Sequence, residues 1–358
     1  MSLRNRHLGA IGLALLVGVW ACGSDGTGPN GENFDAQTTA DALESVDAAF
    51  QTAAFASLDA LGDDFQLPGG VVLAPVELLE LAAHPGAPEF SVRAAAAAQR
   101  VLASSAPAAV LIPEQYRGLT LVYHPTEGYY VDEERTGAPA NGIRFILYAV
   151  NPVTHAITEP LTEIGYADVT AEGTETTASL RLTVVSGEVT YLDYSVTLAG
   201  LIVSPEFTVE GYFTDGTERV DFTLIHSAAI MLAGWSVDID YSIEVGDFTM
   251  DVVLGIEGAG EQETSVTVDI EFSDGTNTVA VEGTLENGGG TLEVYANTNL
   301  FATITITITG VTVLGSDGEA LTQEEMNALE EMMGIIDDAG EIFEDLFEPV
   351  ENFFDNLG

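Results

Sequence analysis

Lysine is absent from this chain and cysteine occurs once, at Cys22. A lone cysteine excludes an intrachain disulfide, a multi-thiolate metal centre and, beyond residue 22, any thiol nucleophile. Basic residues are scarce altogether: nine arginines stand against 57 aspartates and glutamates, for a formal net charge of −48. A surface of that sign repels phosphates, so nucleic acid is not an expected partner. The five histidines form no His-Glu-x-x-His pair, and no serine sits in a Gly-x-Ser-x-Gly elbow, so the common signatures of zinc and serine hydrolases are missing. Disorder does not account for the acidity, because 46% of the residues are hydrophobic, enough for a real core.

What is present begins with a three-part leader. Arg4, Arg6 and His7 give a basic start, Leu8 to Val19 an apolar run, and Val19-Trp20-Ala21-Cys22 a small-residue exit. The run is shorter than the ~20 apolar residues of a spanning helix and has the pattern of a secretory signal. The last four residues resemble the lipobox of bacterial lipoproteins, a likeness confined to the first two dozen residues. It implies cleavage before Cys22, a diacylglyceryl thioether on its sulfur and a further acyl chain, of the palmitate kind, on the freed amine. Each buried methylene contributes about 0.8 kcal/mol, so two or three chains hold where one would not. Gly23 in place of an acidic residue favours, by the same resemblance, the outer membrane. The expected location is the bacterial cell envelope, with the membrane as partner through acyl chains on Cys22.

The rest divides by composition and period. Residues 1–21 read as the signal peptide and 22–34 as the lipidated cysteine with a Gly/Ser/Asn-rich tether. Residues 35–112 read as a helical N-terminal region: Leu43, Val46, Phe50, Ala53, Ala54, Leu58 and Leu61 recur at helical spacing, and residues 91–104 are alanine-rich. From 113 to 315 the period is two. Ile304, Ile306 and Ile308 alternate with threonines; Val237, Ile239, Tyr241, Ile243 and Val245 alternate with serine and acidic residues. Such segments are half-buried antiparallel strands joined by Gly-containing turns. Residues 316–358 return to three- and four-residue steps, from Met326 through Leu329, Met333 and Phe343 to Leu357. Thr322 and Glu325 stand there at capping-box spacing.

The fold expected from these patterns is α+β. It consists of a large curved antiparallel sheet, a half-barrel or flattened barrel of roughly twelve strands, with N-terminal helices and a long C-terminal amphipathic helix on its apolar face. An internal echo links VEGYFTDGTERV at 209–220 with VDIEFSDGTNTV at 268–279, 59 residues on. Duplication and convergent hairpin chemistry both produce such an echo.

Candidate sites are few. Arg144 lies among apolar strand residues and calls for a carboxylate partner, Glu163 or Asp168; the three form either a structural ion pair or a ligand-orienting group. Oxygen-rich turns at 214–218, 273–277 and 316–319 raise calcium as a cofactor, but none has the Asp-x-Asp-x-Asp-Gly spacing, and Asp-Gly between alternating runs is first a hairpin turn. His226, inside an apolar strand, reads as a core histidine, and His124 and His155 as loop residues. The expected function is that of a non-enzymatic envelope lipoprotein that binds an apolar ligand or an envelope partner, or serves as a structural module. The alternative is a secreted hydrolase using paired carboxylates, with or without a divalent cation.

Overall fold

A computed structural model of the chain describes residues 52–64, 112 and 114–332, with short interruptions that mostly fall between strands. Helix α1 spans Ala53–Asp64, and a single 3₁₀ turn spans Glu114–Tyr116. Fifteen strands follow. They are β1 Leu119–His124, β2 Gly128–Asp132, β3 Gly142–Tyr148, β4 Glu163–Gly173 and β5 Ala178–Ser186. Next come β6 Val189–Leu201, β7 Ser204–Thr214, β8 Arg219–Met231, β9 Gly234–Val245 and β10 Phe248–Ala259. The last are β11 Glu263–Ser273, β12 Thr278–Glu286, β13 Gly289–Ala296, β14 Asn299–Thr307 and β15 Gly310–Gly315.

All fifteen belong to one sheet, in the order β15 to β3 without interruption, then β1 and β2. From β3 to β15 it is a meander in which each strand pairs antiparallel with the next. The one parallel pairing sets Leu119 to Leu121 of β1 beside Ile143 to Phe145 of β3. The meander follows from the turns. Gly187 and Gly246 take positive φ in two-residue connections, which lets the chain reverse without splaying the strands.

Period-two alternation gives the sheet two chemically distinct faces. Val237, Ile239, Ile243 and Val245 of β9, Met250 and Val252 of β10, Val268, Ile270 and Phe272 of β11, and Leu292 and Val294 of β13 are all buried. They continue one apolar core that runs from Ile143 to Ile304. The opposite face carries Asp238, Asp240 and Glu244 of β9, Asp269 and Glu271 of β11, and Glu282 of β12, all exposed. Helix α1 packs against β3, β4 and β5 through Ala54 and Leu58. It is also tied to the sheet where β3 is irregular, at Leu147/Tyr148: the Tyr148 N–H, buried, donates to Ser57 Oγ at 3.0 Å.

The expected α+β class is corrected by this arrangement: the described chain is nearly all β, one sheet of fifteen strands that does not close and is edged among the described residues by β2 and β15, in place of the expected half-barrel or flattened barrel of roughly twelve strands. A strand count taken from hydrophobic runs falls short wherever two strands meet at a turn without the usual signals. Asn297 and Thr298 connect β13 to β14 with φ of 48° and 69°, a reversal without glycine. The long C-terminal helix is corrected as well. Of the described residues beyond β15, those that are helical fall within 323–332, where Leu329 and Met332 are buried. Its start follows the expected capping box. Glu325 N–H donates to Thr322 Oγ1 at 3.3 Å, and Thr322 N–H donates to Glu325 Oε2 at 2.8 Å. An amphipathic stripe fixes which face of a helix is apolar, but the length is set by how much of that face finds a surface to cover. The remainder of the expected helix, the tether, and the alanine-rich segment lie outside the described residues.

The sequence echo has a structural counterpart. Strands β6 and β10 begin at Val189 and Phe248, β7 and β11 at Ser204 and Glu263, and β8 and β12 at Arg219 and Thr278, each pair 59 residues apart. The turns agree atom for atom. Asp215 Oδ1 accepts from the N–H groups of Thr217 and Glu218, and Asp274 Oδ1 from those of Thr276 and Asn277. Gly216 and Gly275 occupy the positive-φ position in both. Strands β5 and β9 start 56 residues apart but end 59 apart, at Ser186 and Val245, so β5–β8 and β9–β12 repeat one four-strand pattern.

Candidate functional site

The acidic face dips over β4 to β9 into an open depression of about 590 Å³. Its polar lining comes from side chains at every second position of neighbouring strands, which strand register brings side by side. Arg181 of β5 sits beside Asp193 of β6, and its Nε and Nη2 donate to the two carboxylate oxygens at 2.6 and 2.7 Å. Arg219 of β8 pairs with Asp221 two residues on, and its guanidinium lies 3.7 Å from the centre of the Tyr212 ring on β7. Around these two pairs stand Glu172, Glu210 and Glu244.

The sequence-level candidates fall elsewhere. Arg144 of β3 pairs with Asp168 of β4, Nε to Oδ1 at 2.7 Å and Nη2 to Oδ2 at 2.6 Å, and its guanidinium stacks 3.7 Å from the Tyr166 ring centre. Direct register opposition of the two residues explains the bidentate geometry. Glu163 is not brought to Arg144. It pairs with Arg135, whose guanidinium holds the Glu163 carboxyl below its ordinary range. Arg117 donates through Nε to the carbonyl of Ile112 at 2.9 Å. All five described arginines therefore have an acceptor inside the protein. At each of the four ion pairs a carboxylate already offsets the arginine's charge.

His226 lies on the apolar face of β8 against Phe207, and burial lowers its pKa to about 4, so it is neutral at pH 7. His124, expected in a loop, is instead the exposed last residue of β1, its Nδ1 3.0 Å from Thr126 Oγ1 in the turn that follows. His84, His155 and Cys22 lie outside the described residues. The turns that raised calcium use their carboxylates internally. Hydrogen bonds from Glu218 and Thr217 N–H lower the Asp215 carboxyl, and at Asp274 burial is outweighed by the N–H groups of Asn277 and Thr276. Asp317 Oδ1 accepts from Glu319 N–H at 2.9 Å. Among the described residues no group of three histidine, cysteine or acidic side chains is placed to hold a metal ion.

Arg181, Asp193, Tyr212, Arg219 and Asp221 were not singled out by sequence reasoning. The usable signal was scarcity: an arginine in a strand of so acidic a chain must stand beside a carboxylate on the same face. The second copy of the four-strand pattern shows how local the feature is. Asp240 stands where the first copy has Arg181, and Asp251, paired with Ser242 as Asp193 is with Thr183, stands where it has Asp193. Attraction is replaced there by repulsion, and the Asp251 carboxyl is raised by burial and by Asp240. Compared with known protein families, with characterised proteins and with solved structures, the chain matches none.

Proposed function

We propose that this chain is a lipid-anchored lipoprotein of the bacterial cell envelope whose β domain acts without catalysis, as an interaction or structural module. The anchor rests on the setting of Cys22 after its apolar leader. The module reading rests on one observation: the apolar face is closed along the sheet, with Phe145, Val209, Met250, Phe272, Val294 and Ala302 at or below 1% exposed. A carrier of apolar ligands keeps a concavity for them. Among the described residues the surfaces left to meet another molecule are the acidic face and the two sheet edges, and the depression over β4 to β9 on that face has a largely polar lining.

Native mass spectrometry of the gently extracted chain, beside fractionation of a Cys22→Ala variant, tests this. The expected mass is that of the chain from Cys22 plus covalent acyl groups, with no stoichiometric non-covalent lipid, and the variant leaves the membrane fraction. Co-purified lipid that dissociates in the gas phase would overturn the module reading. Membrane retention of Cys22→Ala would overturn the anchor.

A further inference from the structure

The two free edges of the sheet differ in a way that bears on assembly. Natural sheets guard an edge with charge, because an unpaired edge is a template for another strand. Strand β2 is guarded: it ends in Asp132 and runs into Glu133 and Glu134. Strand β15 is not. Residues 294–316, which hold all of β14 and β15, contain no charged side chain in a chain with 57 acids. Gly310, Val311 and Thr312 are exposed, Val311 by 40%.

Register defines what this edge offers. Thr307 and Gly310 close the β14–β15 hairpin across two residues, so that pair exchanges both main-chain hydrogen bonds. Alternation then turns the N–H and C=O of Thr312 and Leu314 toward β14 and those of Val311 and Val313 away from the sheet. The Gly315 N–H is taken by the Glu319 carbonyl at 2.8 Å, which ends the open stretch. On the outer face Thr267, Thr284, Thr291, Thr305 and Thr312 stand in register on five successive strands, a threonine row that stops at the edge.

We infer that β15 is the pairing edge for a second copy of this chain, β15 against β15 in antiparallel register about a two-fold axis at Thr312. In that register Val311 of each copy exchanges main-chain hydrogen bonds with Val313 of the other, which uses the outward-facing groups. Thr312 faces Thr312 of the second copy as a non-hydrogen-bonded pair, and the threonine row continues across the axis. The self-complementary register selects a second copy, and charge places the contact at this edge. Two copies each carrying −48 repel wherever their acidic faces meet, and the uncharged edge is where they approach at least cost. An isologous pair of this kind also closes on itself and leaves the guarded β2 edges outermost, so no filament grows.

The test uses the full chain in detergent, with Thr312→Cys and, as control on the same face of β14, Thr303→Cys. Opposed residues of a non-hydrogen-bonded pair lie within disulfide reach. Mild oxidation is expected to convert Thr312→Cys, but neither Thr303→Cys nor the unsubstituted chain, to a covalent dimer. Absence of that dimer, or equal cross-linking of the control, overturns the inference. Thr312→Asp and Thr312→Arg supply a second reading independent of folding defects. Each alone is expected to weaken self-association about tenfold or more, and a mixture of the two to restore it as a heterodimer. Self-association unaffected by either charge would equally refute the assignment.

Discussion

His226 gives the sharpest quantitative handle on this fold. It lies between Phe207 of β7 and Ile239 of β9 in direct register, on the face that forms the core. Protonation there places a charge in an apolar layer, and burial lowers its pKa from 6.5 to about 4. Between those values the unfolded chain binds a proton that the native chain does not. Stability is therefore full above pH 6.5 and is lost as pH falls toward 4, below which both states are protonated and the loss is complete. A shift of this size corresponds to about 3 kcal/mol. Carboxylates titrate over part of the same range, so the measurement is a difference. Urea unfolding of the parent and of His226→Leu is followed from pH 7.5 to 4, and the two free energies are subtracted. The carboxylate contributions cancel, and the parent's relative stability is expected to fall by about 3 kcal/mol over that range. A difference that stays flat with pH refutes the reasoning, since it means the imidazole titrates alike in both states.

Ser57→Ala removes the acceptor of the buried Tyr148 N–H and is expected to destabilise the protein by about 1–3 kcal/mol in urea melts, with early loss of hydrogen-exchange protection at Tyr148. Asp240→Arg places at β9 the cation that its counterpart Arg181 supplies at β5, and is expected to bring the Asp251 carboxyl down in an NMR titration. Because both positions are exposed, the accompanying gain in stability is at most about 1 kcal/mol. Salt from about 0.02 to 0.5 M, spanning the range over which the Debye length shortens to a few ångströms, is expected to raise the melting temperature by relieving repulsion such as that of register-paired Glu282 and Glu293. A melting temperature indifferent to salt would mean that these carboxylates do not repel.

Legibility in the sequence followed the range of the forces involved. Strand faces depend on side chains two residues apart, and the alternation at 237–245 and 303–307 gave the buried and exposed faces directly. The capping box at Thr322 and Glu325 spans one turn and was equally readable. Sheet closure was not, because it is the sum of small twists over fifteen strands, and no single segment encodes it. The α1 docking site was hidden for a related reason. Besides the packing of Ala54 and Leu58 it uses a hydrogen bond between Ser57 and Tyr148, 91 residues apart, that neither local pattern suggests.

The ion pairs of the acidic face show what could and could not be inferred. Arg144 was recognisable as needing a carboxylate, and register chose Asp168 over Glu163 because Asp168 is the residue directly opposite. Choosing between them required the pairing of β3 with β4, information that lies in the meander and not near Arg144. The same holds for Arg181, whose partner Asp193 lies on β6, whereas Arg219 and Asp221 are two residues apart on β8; the absence of both arginines from the second copy adds something that a single site cannot. Two four-strand units, three of whose strand pairs start 59 residues apart and whose turns match, both bury their apolar faces, one with these arginines and one with Asp240 and Thr278 in their places. The fold therefore does not require the pairs. Their concentration around one depression in the first copy is a property of that surface, and the energetic cost of fixing two long side chains there has no counterpart in the scaffold. If either copy of the pattern carries the specific contact of the acidic face, it is the first, where positive and negative groups are set out in a defined arrangement, and not the second, whose residues 234–286 include no basic side chain to answer their carboxylates.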